Sequence, residues 1–179
     1  MFETEAELDQ LQALLDASLA RSTAHLRSIV TPGERTLPAR RLTEVLTGMC
    51  TLALSTVTAS GEPRISGVDG HFLHGKWIFG TSVTAAKARH ISARPAVSAA
   101  YMRGEEIGVF THGTAHVLNP QDAPPDPGWA SVKAHLAAHY GDSPGESPGD
   151  WDGVVYYRLE PHWMVVYAGA PEKVAPNAP

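Results

Sequence analysis

The sequence predicts a mainly β protein: an antiparallel barrel of six or seven strands with an N-terminal helix and other helices at its periphery. Three observations carry that prediction. Short apolar and β-branched runs, separated by turn residues, recur from Cys50 to Gly169. Helical stretches are inserted among these runs instead of following each one, which argues against a βαβ sheet. Neither G-x-G-x-x-G nor G-x-x-x-x-G-K-[ST] occurs, so the dinucleotide fold and the Walker-type nucleotide fold both lack their signature.

At 179 residues the chain is long enough for one domain with a proper core. Its expected divisions are a helical extension over 1–40, the barrel over 41–170 and a disordered tail over 171–179. The formal net charge is −5 with no run of like charge, which excludes a broad nucleic-acid footprint. No apolar stretch approaches the ~20 residues a membrane span requires. The start, MFETEAELDQ, is acidic and polar, unlike a secretory signal. The single cysteine, Cys50, stands in the apolar run MCTLAL and reads as a buried structural thiol in a reducing cytoplasm.

The elements follow in order. Thr4 and Glu7 have the spacing of a capping box, and Leu8, Leu11, Leu15 and Leu19 recur at helical intervals, so one amphipathic helix is expected over 5–29. Thr31-Pro32-Gly33 stops it. A second helix carries Leu42, Val45, Leu46 and Met49 on one face. CTLALSTV is the first strand, closed by Ala59-Ser60-Gly61-Glu62. PRISGVDG, HFLHG and KWIFGTS follow, with His74-Gly75-Lys76 as a tight hairpin turn. A basic helix is expected from about Thr84 to Arg94, ending before Pro95. AVSAAYM and EIGVFTHGTAHVL form the next hairpin through Arg103-Gly104-Glu105. Residues 119–128 are a Pro-rich loop, and Trp129 to Tyr140 a helix. After a Gly/Pro/Ser loop, VVYYRLE and HWMVVYAG read as two final strands.

The chemistry-bearing candidates cluster at the strand-to-helix junction TSVTAAKAR. A helix start presents free backbone N–H groups and about half a positive charge, so hydroxyls Thr81 and Ser82 followed by Lys87 suit a phosphate. Arg64 and Ser66 share one face of the preceding strand, because side chains repeat every second residue. If the two elements are adjacent, a guanidinium, an ammonium, hydroxyls and amides converge. The plainer alternative is a solvated basic helix with Thr84 as its N-cap, and spacing leaves both open.

The other clusters favour ordinary packing. His135 and His139 lie four apart on a helix, and His112 and His116 share a strand face, yet no third ligand is evident and no metal is expected. Trp77, Trp129, Trp151, Trp163 and Tyr167 suit core or interface anchoring, with Trp163 beside His162 kept as a weak stacking candidate. Glu62 and Asp69 could form a carboxylate pair, but acids in a turn region are usually just solvated. No Ser-His-Asp or Cys-His arrangement is visible.

The run from Thr51 to Met102 resembles the FMN-binding split-barrel superfamily, the pyridoxamine 5′-phosphate oxidase-like proteins. It has their SGEPR turn, two hairpin strands and a hydroxyl-bearing junction with a lysine in the helix start, and RLEP (Arg158 to Pro161) is similar to their C-terminal Arg-Leu-x-Pro. The resemblance implies FMN with its phosphate held by Arg64, Thr81, Ser82 and Lys87, and its ring along Arg64, Ile65, Ser66, Gly67 and Val68. It implies a homodimer with the cofactor at the interface, the N-terminal helix clasping the partner. Hydride transfer to or from a small organic substrate would be the activity, the flavin carrying the chemistry. Two departures stand out: Ala86 replaces an arginine, and GDSPGESPGDWDG (141–153) replaces the segment that grips the vitamin in true oxidases. A vitamin-B6 oxidase is therefore not expected. The alternatives are a deazaflavin (F-420) reductase, a non-enzymatic flavin or haem binder with His162 or His112 as ligand, and a degenerate barrel binding nothing.

Overall fold

The chain folds as a closed six-stranded antiparallel barrel with helices around it, in a computed structural model that describes residues 2–141 and 153–177. Its strands are β1 (Met49–Val57), β2 (Pro63–Leu73), β3 (Lys76–Ser82), β4 (Ala96–Arg103), β5 (Ile107–Val117) and β6 (Val154–Ala168). Around the barrel they run β1-β2-β3-β6-β5-β4 and back to β1. The helices are α1 (Glu5–Ala20), α2 (Ala24–Ile29), α3 (Ala39–Val45), α4 (Ala86–Ala93) and α5 (Trp129–Tyr140).

Local chemistry sets the turns. Between β2 and β3, His74 and Gly75 both take positive φ, 54° and 71°, the geometry of a two-residue loop that matches strand twist. The Thr4–Glu7 capping box forms at α1: Thr4 N–H donates to Glu7 Oε2 at 2.7 Å and Glu7 N–H to Thr4 Oγ1 at 3.3 Å. The expected single helix over 5–29 is instead two, because the Thr23 hydroxyl accepts from Leu26 N–H and restarts the helix. Met49, expected on a helix face, opens β1.

The final two strands are one. β6 runs unbroken past Pro161, and the register slips between His112 and Gly113 of β5, so that Trp163 faces His112 while Pro161 faces Gly113. His162 is the extra residue of a β-bulge, which absorbs the missing proline N–H without ending the strand.

Inward side chains fill the barrel: Leu52, Leu54, Trp77, Phe79, Val109 and Leu159 are essentially inaccessible. The Trp77 indole N–H finds Thr111 Oγ1 at 3.2 Å, so its burial leaves no orphan donor. The same core takes Leu11 and Leu15 of α1 and Leu42 and Val45 of α3. A second apolar cluster seats Val132 and Leu136 of α5 on the outer face of β2, β3 and β6.

The stretch 171–177 does not match the expected frayed tail. A 3₁₀ turn (Pro171–Lys173) leads to Val174, fully buried, and to Asn177, which accepts from Tyr101 Oη at 2.7 Å and donates to Cys50 Sγ at 2.9 Å. Short-range composition could not show these long-range anchors.

Candidate functional site

The β2–β3 seam is one of two narrowly paired places in the closed barrel. Only four residue pairs, Gly70–Leu73 with Phe79–Lys76, join these strands. Beyond them β2 stays on β1 as far as Pro63, while β3 turns to β6 through Gly80, Thr81 and Ser82. Helix α4 follows directly and touches β1 as well as β3: Thr56 Oγ1 meets His90 Nδ1 at 3.0 Å, Arg94 Nε donates to Val57 O at 2.9 Å, and Ile91 enters the core. The helix thus bridges the strands flanking the free end of β2.

Cross-strand pairing sorts the sequence candidates onto two faces. Arg64, Ser66 and Val68 lie opposite Thr56, Leu54 and Leu52, which point inward, and Thr81 lies opposite Val155, which packs on the same core. Ile65, Gly67 and Ser82 belong to the outer face. Val68 is buried, whereas Ile65 is 76% exposed. The Arg64 guanidinium pairs with Glu62 at 2.8 Å, so Glu62 faces Arg64 and not Asp69.

At the junction the Ser82 hydroxyl is already engaged, accepting from Thr84 N–H at 3.2 Å and meeting Thr84 Oγ1 at 2.9 Å. Thr84 is therefore not the N-cap. Ala85 is, and no side chain among the described residues caps α4. Lys87 stands second in the helix, half-buried, and Arg89 reaches back to Thr84 O at 2.9 Å. Ala86 is exposed at the first helical position, where an arginine would have faced outward.

The outer face of the same seam holds a feature the sequence did not reveal. A cavity of about 240 Å³ lies between the strands and α5, its polar lining made by Asp69, His71, Thr81, Ser82, Tyr140 and Tyr156. His71 is buried and bonded at both nitrogens: Nε2 to Tyr140 Oη at 2.9 Å and Nδ1 to His135 Nε2 at 3.1 Å. Burial, with His135 and His139 adding, pushes its pKa down to about 4, so it is neutral at physiological pH. Burial, and the Asp69 charge after it, pushes Tyr140 and Tyr156 up to about 12. Only the Leu136/Tyr140 spacing of one helical turn hinted at a shared face, and nothing local tied it to Asp69.

The remaining candidates are placed as follows. His135 and His139 gather on His71, and no group among the described residues is arranged to hold a metal ion. His116 pairs with Asp126 at 3.1 Å. His112 stacks on Trp163, ring centroids 4.6 Å apart, beside an apolar groove of about 470 Å³ that includes Met102 and Phe110. Trp151 lies outside the described residues, as does nearly all of the 141–153 segment.

A closed six-stranded antiparallel barrel with narrow pairing at β2–β3 and β1–β4, and a helix following β3 at the first of these, has the architecture of a split-barrel protein. The family model described as pyridoxamine 5′-phosphate oxidase matches residues 16–164, and the chain belongs to that family. Among solved structures it is similar to HutZ, the haem storage protein from Vibrio cholerae, at 20% identity and a TM-score of 0.59, over 72% of this chain and 93% of that one. The conserved hypothetical protein Rv2991 from Mycobacterium tuberculosis aligns at 14% identity and a TM-score of 0.60, over 82% and 94%. An F420 reductase aligns at 22% identity and a TM-score of 0.50, over 67% and 92%. At such identities the likeness is one of fold. No curated protein matches the chain. No helix among the described residues is long and apolar enough to cross a membrane.

Proposed function

We propose that this chain is a cytoplasmic FMN-dependent oxidoreductase that passes hydride to or from a small organic substrate. The observation that carries the reading is the start of α4: a helix N-terminus without a side-chain cap, opening at the seam beside Thr81, with Lys87 in its first turn. Uncapped amides and an ammonium are donors suited to a phosphate monoester, and in this reading the Arg64 guanidinium leaves Glu62 to join them. The Arg64–Glu62 pair is solvent-exposed and worth at most about 1 kcal/mol, so a phosphate competes with it readily. Gly67 has open space where a side chain would stand, which leaves the β2 backbone accessible to a flat ring between Ile65 and Val68. Ser82 serves by shaping the turn through Thr84.

Bound there, the flavin would supply the redox chemistry, and the chain would hold its phosphate and orient its ring. A second copy completing the site from the open edge near exposed Ile65 belongs to this reading. A deazaflavin coenzyme presents a phosphate to the same donors, although a net charge of −5 disfavours its acidic tail. A second reading, haem binding without catalysis, draws on His112 beside its apolar groove, and HutZ shows that the fold can serve haem storage.

The test is the absorption spectrum of the purified protein, alone and after addition of FMN or the deazaflavin. Uptake of FMN, weakened at least tenfold (~1.4 kcal/mol) by Lys87→Ala, is expected. A colourless protein that takes up neither coenzyme overturns the reading, and a porphyrin band moves the case to His112. A monomer mass in light scattering removes the second copy.

A further inference from the structure

The cavity on the outer face of the seam differs in charge from the cradle on the inner face. Asp69 is the one carboxylate in its lining, and no lysine or arginine lines it among the described residues. His71 contributes no charge near neutral pH. The site therefore carries a negative charge on an exposed carboxylate, beside the apolar residues Ile78, Leu136 and Val154 of the same lining. Two phenol rings, Tyr140 and Tyr156, flank it. The packing is specific as well: a Cβ on Gly80 would sit 2.7 Å from Tyr156 Cε1, so glycine at this strand position is what lets the Tyr156 ring lie across β3.

We propose that this cavity binds a small organic cation, a primary amine on an apolar body about the size of one ring, with its ammonium between Asp69 and the Tyr140 and Tyr156 rings. A carboxylate gives the ammonium a counter-charge, and aromatic faces attract it through their quadrupoles. The same lining rejects phosphorylated or carboxylated molecules, for which it offers no cationic partner. The cavity adjoins the strand-to-helix junction, since Thr81 and Ser82 also line it, but its amine-binding groups, Asp69, Tyr140 and Tyr156, are not phosphate donors, so the proposal does not depend on flavin being the cofactor.

Benzylamine and benzoate, one ring with opposite charges, are the probes. Each is titrated into the protein near neutral pH while backbone amide resonances are followed by NMR. Benzylamine is expected to shift the amides of Asp69, Gly80 and Ser82, with benzoate at least tenfold weaker. Asp69→Asn should cost benzylamine about tenfold in affinity, the effect of one lost charged contact. Tyr140→Phe, which keeps the ring, should retain binding and the preference for the amine. Equal responses to both probes, benzylamine shifts confined to other surfaces, or wild-type affinity in Asp69→Asn would each overturn the proposal. If Asp69→Asn fails to fold, the contrast between the probes in wild type and in Tyr140→Phe decides alone. FMN titrated into a separate sample, read by its own absorption band, tests the flavin reading, so failure of either reading is visible without the other.

Discussion

Two glycines on opposite sides of the barrel, Gly113 of β5 and Gly67 of β2, make opposite demands, although both look alike in the sequence. A Cβ on Gly113 would lie 2.2 Å from Glu160 O, a backbone atom fixed by the bulge at His162. Gly113→Ala must push two paired strands apart, and a loss of about 3 kcal/mol is expected in urea unfolding. Gly67 has nothing within 4 Å of that position and an ordinary strand conformation. Gly67→Ala should leave stability within about 0.5 kcal/mol of wild type. If a flavin ring lies along Ile65–Val68, the same methyl meets the ring, and FMN affinity should fall severalfold while the unfolding midpoint stays put. Unchanged affinity in Gly67→Ala would place the ring elsewhere. The pair thus separates a glycine kept for the fold from one kept for a ligand.

At the scale of elements, α5 carries the clearest pH dependence. It docks through Val132 and Leu136, and through the His71 contacts with His135, His139 and Tyr140, while Asp69 faces the same cavity from β2. The pKa of His71 falls from 6.5 to about 4 on folding, so between these values the unfolded chain binds the proton and the folded one does not. Stability is therefore full above pH 6.5 and declines toward pH 4, by up to about 3 kcal/mol. His71→Gln, uncharged at every pH, should flatten that slope in unfolding midpoints measured across the window; an unaltered slope would assign it to other groups. The span of α5 itself was legible in the sequence, as were the capping box at Thr4 and the turn at His74-Gly75, because each is written in residues a few positions apart. The α1–α2 break was not, since both halves keep helical periodicity and the Thr23 hydroxyl decides between them. Strand alternation put Arg64 and Ser66 on one face, which cross-strand pairing makes the inner one, but did not show the outward turn of Ser82. The cavity was invisible because Asp69, Tyr140 and Tyr156 come from three elements that only the closed barrel brings together.

Across the whole molecule, barrel closure rests on a narrow seam that the chain ends reinforce. β1 and β4 share only three residue pairs, Ala53–Ser55 with Ala100–Ser98. The C-terminal stretch spans that weakness: Asn177 N–H donates to Val45 O at the end of α3, its side chain joins Cys50 of β1 to Tyr101 and Arg103 of β4, and Arg41 holds Val174 O at 2.7 Å. Burying Val174 adds about 2 kcal/mol to these hydrogen bonds. The tail also covers the Cys50 thiol, which burial pushes up to about 11, leaving almost no thiolate at neutral pH. Removal of residues 171–179 should then do two things together. The unfolding midpoint should drop, because the seam loses its brace, and the Cys50 thiol should react with a disulfide reagent at least tenfold faster, because solvent reaches it and its pKa relaxes toward 9. Asn177→Ala tests the same link more gently: it keeps Val174 in place and removes only the amide bridge, so labelling should rise less than in the truncated chain. A truncated protein that labels as slowly as wild type would show that α3 and the barrel alone shield Cys50, and that the last residues rest on a seam already closed without them.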